Sequence, residues 1–153
     1  MKALVAAVLL ASASLPAWAA NVSVADAWAR ATMPGQKVSA AYMTIRSDAD
    51  AKLIGASSTV AARVELHEMR MDGEVMRMRE VGSLALPAGK PVKLEPGGYH
   101  IMLMNLGRPI AAGEAVPVTL TIESGGRQET VEVKAEARGP GGESAQPMHH
   151  HRH

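Results

Sequence analysis

The 153-residue sequence contains no cysteine and no phenylalanine, and only two tryptophans and two tyrosines. Without cysteine the chain forms no disulfide and offers no thiolate to a metal ion. Because aromatic residues make up only 3% of the chain, its core must be built from aliphatic side chains and methionine. The formal charge of +1 gives no electrostatic basis for binding nucleic acid. The length suits one domain.

The first twenty residues have the features of a Sec-type export signal. Lys2 supplies a positive charge, an apolar run follows over 3–16, and the Ala-Trp-Ala at 17–19 resembles a cleavage site. A membrane anchor is the alternative, but the run is short and no later segment reaches the ~18 apolar residues of a membrane span. We therefore expect cleavage after Ala19 or Ala20, and a periplasmic protein with no membrane insertion.

Between the signal and residue 138, turn residues divide the chain into short segments that are typical of β-strands. Alternation is clearest over 115–124 and 130–137, where every second residue is aliphatic. Regular spacing and frequent turns predict an all-β, antiparallel sandwich or barrel with one domain, 21–138. The nine predicted strands are 22–31, 37–47, 51–57, 62–71, 74–81, 91–94, 99–106, 115–124 and 130–137.

Methionine is concentrated in one segment, Leu66–Glu80, which holds four methionines and a histidine. Asp72-Gly73 separates two strand-like runs and predicts a hairpin turn there. Side chains alternate between the two faces of a strand, so the histidine and the methionines should share one face. That predicted set is His67, Met69, Met71, Met76 and Met78.

The expected register of this hairpin follows from a turn built on Asp72 and Gly73. Met69 then opposes Met76, and His67 opposes Met78. Opposed side chains have Cβ atoms ~4.5–5.5 Å apart, so the last two could bind one shared atom. A slip of one residue would scatter the set.

A second cluster lies in the segment 99–106, which begins just after Gly97-Gly98. The strand period divides its side chains between the core and a polar face. Tyr99, Ile101 and Leu103 are expected in the core, and His100, Met102 and Met104 on the other face.

Imidazole and thioether on both segments indicate a soft metal, and Cu(I) in particular. Calcium and magnesium would need clustered carboxylates, zinc would prefer cysteine or more histidine, and a blue-copper site requires cysteine. Methionine also fills irregular cores, which is the preferred interpretation for Met33 and Met43. For Met71 and Met76, a role beside the site and a role in core packing both remain open.

The sequence resembles the periplasmic copper chaperone family PCuAC, whose signature is His, ten residues, Met, twenty-one residues, then His-x-Met. His67, Met78, His100 and Met102 match this spacing, and AWARATMPGQ, AAYMTI and GGYHIMLMNL around them look similar. The resemblance covers essentially all of 22–136.

The resemblance implies a cupredoxin-like, immunoglobulin-like Greek-key β-sandwich with a Cu(I) site near its surface. It implies His67, Met78, His100 and Met102 as the four ligands. It also implies delivery of copper to the CuA domain of cytochrome c oxidase subunit II, alongside Sco-type thiol-disulfide proteins. Met69 and Met104 lie beyond the motif and are candidates for assisting transfer or shielding the site.

After Arg138 the sequence loses its apolar periodicity, and a disordered tail is expected over 139–153. Histidine-rich tracts bind Cu(II), so a second copper site is a hypothesis for this tail. The alternative is a cloning remnant or an end with no role. Its candidate ligands are Met148, His149, His150, His151 and His153.

The sequence therefore predicts a monomeric copper metallochaperone. One alternative is a periplasmic buffer or resistance protein that sequesters copper without a dedicated acceptor. Another is a β-sandwich interaction module with a methionine-rich binding patch. An enzyme is not expected, because no nucleophile-base pair, phosphate loop or paired carboxylates lie near the histidines.

Overall fold

The computed structural model describes residues 20–140, and every regular element in that range is a β-strand. The predicted export signal up to residue 19 and the predicted tail from residue 141 lie outside the described residues. No part of 20–140 forms a helix with the length and apolar character needed to cross a membrane. The strands are β1 Val22–Arg30, β2 Val38–Ser47, β3 Ala51–Ser57, β4 Ala61–Asp72, β5 Val75–Glu80, β6 Leu84–Leu86, β7 Pro91–Leu94, β8 Tyr99–Leu106, β9 Ala115–Ser124 and β10 Arg127–Arg138.

All nine predicted strands are present, and four of them have the predicted bounds. The remaining strands differ from prediction by at most three residues at an end. The one strand that the sequence did not predict is β6, which has only three residues. Three residues are too few for an alternating pattern to be recognised.

One hydrogen-bonded path runs through the strands in the order β5-β4-β8-β2-β1-β10-β9-β3-β6, with β7 paired to β2. The pairings are antiparallel except for β1 with β10, which is parallel. A bulge interrupts β1 between Ala25 and Trp28, and Asp26 there has φ 54°. On one edge β1 pairs with β2 from Val22 to Ala29, and on the other it pairs with β10 from Trp28 to Arg30.

This path folds over a single core, so the molecule is a β-sandwich, as predicted. The core is largely aliphatic and draws on strands from both halves of the path, including Ile45 of β2, Leu103 of β8 and Leu120 of β9, all fully buried. Met43 is 1% exposed, which confirms its predicted place in the core. The same prediction for Met33 is wrong, because that side chain is 70% exposed in a turn closed by a bond from Gln36 N to Met33 O.

The strand order places β4 between β8 and the edge strand β5. Ile101 and Leu103 of β8 are buried in the core, and Tyr99 packs against it, as predicted. His100, Met102 and Met104 therefore face away from the core, toward the side of the sheet that carries the hairpin methionines.

Candidate metal centre

The β4–β5 hairpin has a different register from the predicted one. Its turn residues are Gly73 and Glu74, with Asp72 paired to Val75. Gly73 has φ 66°, and a single positive φ at the first turn position is the pattern of a type II′ turn. A turn centred on Asp72 and Gly73 would be of type I′ and would need positive φ at both, which Asp72 does not have.

The prediction that His67 opposes Met78 is therefore wrong. His67 opposes Glu80, and Met78 opposes Met69. The shift is two residues, which equals the side-chain period, so the prediction that the hairpin histidine and methionines share one face is confirmed. His67 and Met78 are diagonal neighbours, and such neighbours lie ~7–8 Å apart, within reach of long side chains.

The two histidines meet across the β4–β8 pairing. His67 is directly opposite His100, and their ring centroids are 5.8 Å apart. In the same register Glu65 is opposite Met102, and each of them lies two residues along its strand from the histidine. Two of the four motif residues are thus cross-strand neighbours, and a third lies beside them.

An open cleft of about 510 Å³ brings the thioethers to this histidine pair. Met78, His100 and Met102 all line it, and so does Met69. His67 does not line this cleft directly, but adjoins it through the His100 ring. Met104 is opposed by Val38 and Arg63 and does not belong to the lining.

Each imidazole has one nitrogen hydrogen-bonded and one buried nitrogen without a partner. His67 Nε2 lies 2.7 Å from Glu65 Oε2, and its Nδ1 is unpaired. His100 Nδ1 lies 3.2 Å from the Gly98 carbonyl oxygen, and its Nε2 is unpaired. Because carboxylate and carbonyl oxygens accept hydrogen bonds, Nε2 of His67 and Nδ1 of His100 must donate. The other nitrogen of each neutral ring then keeps a lone pair.

Buried polar atoms are normally paired, so two unpaired imidazole nitrogens on adjacent rings call for a ligand. A metal-binding histidine typically donates its other N–H to a carboxylate or a backbone carbonyl, which is the arrangement at both rings. Across residues 20–140, no three His, Cys, Asp or Glu side chains gather as a metal site of those ligands would require. A metal bound by these two rings would therefore complete its shell with methionine.

Electrostatics favour the neutral form of His100 and the charged form of Glu65. Burial lowers the pKa of His100, and the neighbouring His67 and Arg30 lower it further, against the opposing effect of the Gly98 carbonyl. The hydrogen bond from His67 lowers the pKa of Glu65, and Arg63, which also forms an ion pair with this carboxylate, adds to the effect. A neutral imidazole is the form that binds a metal.

Two residues of the site were not predicted as functional from the sequence, Glu65 and Tyr42. The Tyr42 ring is 5% exposed, lies 6.3 Å from the His100 ring and forms part of the cleft wall. Arg30 Nε donates to the Tyr42 hydroxyl at 3.1 Å, and the Trp28 ring packs against the Tyr42 ring with 4.6 Å between centroids. The only sequence signal for Glu65 was its period-two spacing from His67.

The chain belongs to the family described as "Putative lipoprotein LpqE-like", which it matches over residues 22–135. A relative from Leifsonia xyli subsp. xyli, "Putative lipoprotein Lxx21020", is 37% identical over 121 residues. That match covers 76% of this chain and 72% of the relative.

Solved structures with the same fold include a copper-bound PCuAC domain from PmoF2. It is 25% identical, with a TM-score of 0.64 over 80% of this chain and 97% of that domain. The solution structure of apo-DR1885 from Deinococcus radiodurans is 32% identical, with a TM-score of 0.56 over 90% of this chain and 95% of that one. DR1885 in its Cu(I) form is 33% identical, with a TM-score of 0.55 over 83% and 81%.

Proposed function

We propose that this protein is a copper metallochaperone that holds Cu(I) through His67, Met78, His100 and Met102. The observation that carries the proposal is the pair of unpaired, buried imidazole nitrogens beside a cleft lined by thioethers. Thioether sulfur is a soft ligand that selects Cu(I), and imidazole also binds copper. Copper-bound PCuAC from PmoF2 and Cu(I)-bound DR1885 support the proposal, because both share this fold.

The exposure of the site suits transfer better than storage. Met78 is 46% exposed on the edge strand β5, whereas His100 is 3% exposed at the base of the cleft. A docked acceptor can therefore replace the methionine while the histidines still hold the ion. Methionine is neutral, so its displacement releases no proton and leaves copper as Cu(I).

For the acceptor we propose the CuA domain of cytochrome c oxidase subunit II, with Sco-type thiol-disulfide proteins acting alongside. The resemblance of the motif supports this acceptor, and the predicted export signal, together with the relative "Putative lipoprotein Lxx21020", supports a periplasmic location. The histidine-rich tail, 139–153, is proposed to bind Cu(II) or a second copper. Deleting the gene tests delivery, since loss of oxidase activity on limiting copper supports it. Copper sensitivity with normal oxidase activity would instead indicate sequestration.

The binding proposal is tested by anaerobic Cu(I) competition titration of the chain without 139–153. One Cu(I) should bind tightly, and Met78→Leu should weaken it, because leucine keeps the apolar volume and removes the sulfur. Met33→Leu is the matched control, since Met33 is exposed and lies outside this cleft. Equal affinity in the two variants would contradict the proposal.

A further inference from the structure

Beyond the four-residue site, the hairpin carries a second pair of methionines, Met71 and Met76. They are directly opposed, next to the turn. The register of β4 with β5 is unbroken from His67 to Asp72, so this outer pair lies on the same face as the inner pair, Met69 and Met78.

Exposure excludes core packing for the outer pair. Met71 is 57% exposed and Met76 is 45% exposed, whereas Met43 in the core is 1% exposed. Opposed residues have Cβ atoms ~4.5–5.5 Å apart, and methionine has three flexible side-chain bonds, so the two sulfurs can converge on one ion. The tip of the hairpin therefore presents two opposed, exposed soft ligands to solvent.

The charges around the hairpin leave this face accessible to a cation. Arg77 and Arg79 belong to the opposite face, where they pair with Asp72 at 2.9 Å and Glu68 at 3.3 Å. Arg70 opposes Arg77 on that same opposite face. On the methionine face Glu80 lies opposite His67, and the one arginine that β4 places there, Arg63, forms an ion pair with Glu65.

We propose that Met71 and Met76 form an outer binding site for a soft monovalent cation, from which Cu(I) passes to the inner pair and on to the histidines. Its role in transfer rests on the proposed function. One alternating step along a strand is ~7 Å, which the side chains of successive methionine pairs can bridge. The first step exchanges neutral thioethers for neutral thioethers, and the last exchanges a thioether for a neutral imidazole, so copper stays Cu(I) and no proton or electron moves. With two ligands, the outer site binds more weakly than the inner one.

The test is a titration of the full chain with Ag(I), a soft cation that does not change oxidation state under these conditions, followed by NMR of ¹³C-labelled methionine methyl groups. The Met78 and Met102 signals should shift with the first equivalents. The Met71 and Met76 signals should shift together at higher Ag(I), and Met33 serves as the exposed control. Met71 and Met76 shifts no larger than that of Met33 would overturn the proposal. If the inner site does not bind the cation, the Met78 and Met102 signals will not shift. This outcome distinguishes a failure of the proposed function from a failure of the outer site.

A double variant, Met71→Leu with Met76→Leu, tests the transfer role while keeping the exposed apolar surface. We expect loss of the weaker binding step, an unchanged affinity of the inner site, and slower transfer of Cu(I) to the protein from a small chelator. The matched control is Met33→Leu, which should leave the transfer rate unchanged. A double variant that retains the weaker step and the native transfer rate would overturn the proposal.

Discussion

Replacing Glu65 with glutamine removes the carboxylate that orients His67. In the native chain Glu65 Oε2 accepts a hydrogen bond from His67 Nε2 at 2.7 Å, which leaves the Nδ1 lone pair available for copper. The amide of the introduced glutamine has an oxygen that accepts and a nitrogen that donates, so it can satisfy either tautomer of the ring. The variant therefore releases the constraint on the tautomer with almost no change in side-chain volume.

The expected size of the effect comes from the role of such partners in other metal sites. Loss of a group that hydrogen-bonds to a metal-binding histidine typically costs ~10–100-fold in metal affinity. A hydrogen bond to a charged group is roughly twice as strong as a neutral one, and the amide keeps the neutral bond. We therefore expect Glu65→Gln to lower Cu(I) affinity by about tenfold, near the lower end of that range, and Glu65→Ala to lower it further.

The assay is Cu(I) competition titration combined with ¹⁵N NMR of the His67 ring in the metal-free protein. The native ring should carry its proton on Nε2, and the glutamine variant should show a mixture of tautomers. Glu68→Gln is the matched control, because Glu68 lies on the opposite face of β4 and pairs with Arg79 at the surface. Equal affinities in the two variants, with an unchanged His67 tautomer, would refute the reasoning.

Three further predictions follow from burial and contacts. Because burial lowers the pKa of His100, the unfolded chain takes up a proton before the fold does. The stability of the apo protein should therefore be full above the ordinary histidine pKa of 6.5 and fall as pH drops below it. Urea unfolding at several pH values across this range measures how the free energy of unfolding depends on pH. The His100→Gln variant should show a weaker dependence. Leu103→Ala should cost about 2–5 kcal/mol in urea unfolding, against a change within about 0.5 kcal/mol for the exposed Met33→Ala, and equal costs would contradict the described core. Tyr42→Phe should keep the native Cu(I) affinity because the ring remains against His100, whereas Tyr42→Ala should lower that affinity. A larger loss of affinity in Tyr42→Phe than in Tyr42→Ala would instead attribute the effect to the hydrogen bond from Arg30.

Period-two alternation in the sequence correctly predicts which side chains face the core and which face away from it. It assigned Ile101 and Leu103 to the core and the histidines and methionines to the other face of β4, β5 and β8, and these assignments held even though the hairpin register was wrong by two residues. A register error of two residues equals the period of side-chain alternation, so every side chain stays on the same face. The alternation pattern therefore cannot reveal such an error. The turn geometry decides the register, and an Asp-Gly pair fits a turn either as its two central residues or with aspartate just before it.

The contacts that complete the candidate site could not be predicted from local pattern. The pairing of His67 with His100 depends on the register of β4 with β8, which are distant in sequence. Glu65 gains its role only because that register leaves His67 Nε2 facing its carboxylate. Tyr42 reaches His100 from β2, a third strand, and its segment, AAYMTI, added to the family resemblance without indicating that the tyrosine lies beside a histidine.

X-ray absorption spectroscopy at the copper edge tests the central claim most directly. The sample is the chain without 139–153, loaded anaerobically with one equivalent of Cu(I), so that the tail contributes no ligands. We expect a mixed copper coordination shell of nitrogen and sulfur, with the sulfur contribution halved in Met78→Leu and unchanged in Met33→Leu. A coordination shell of nitrogen and oxygen alone, or a sulfur contribution indifferent to Met78, would contradict the four-ligand site.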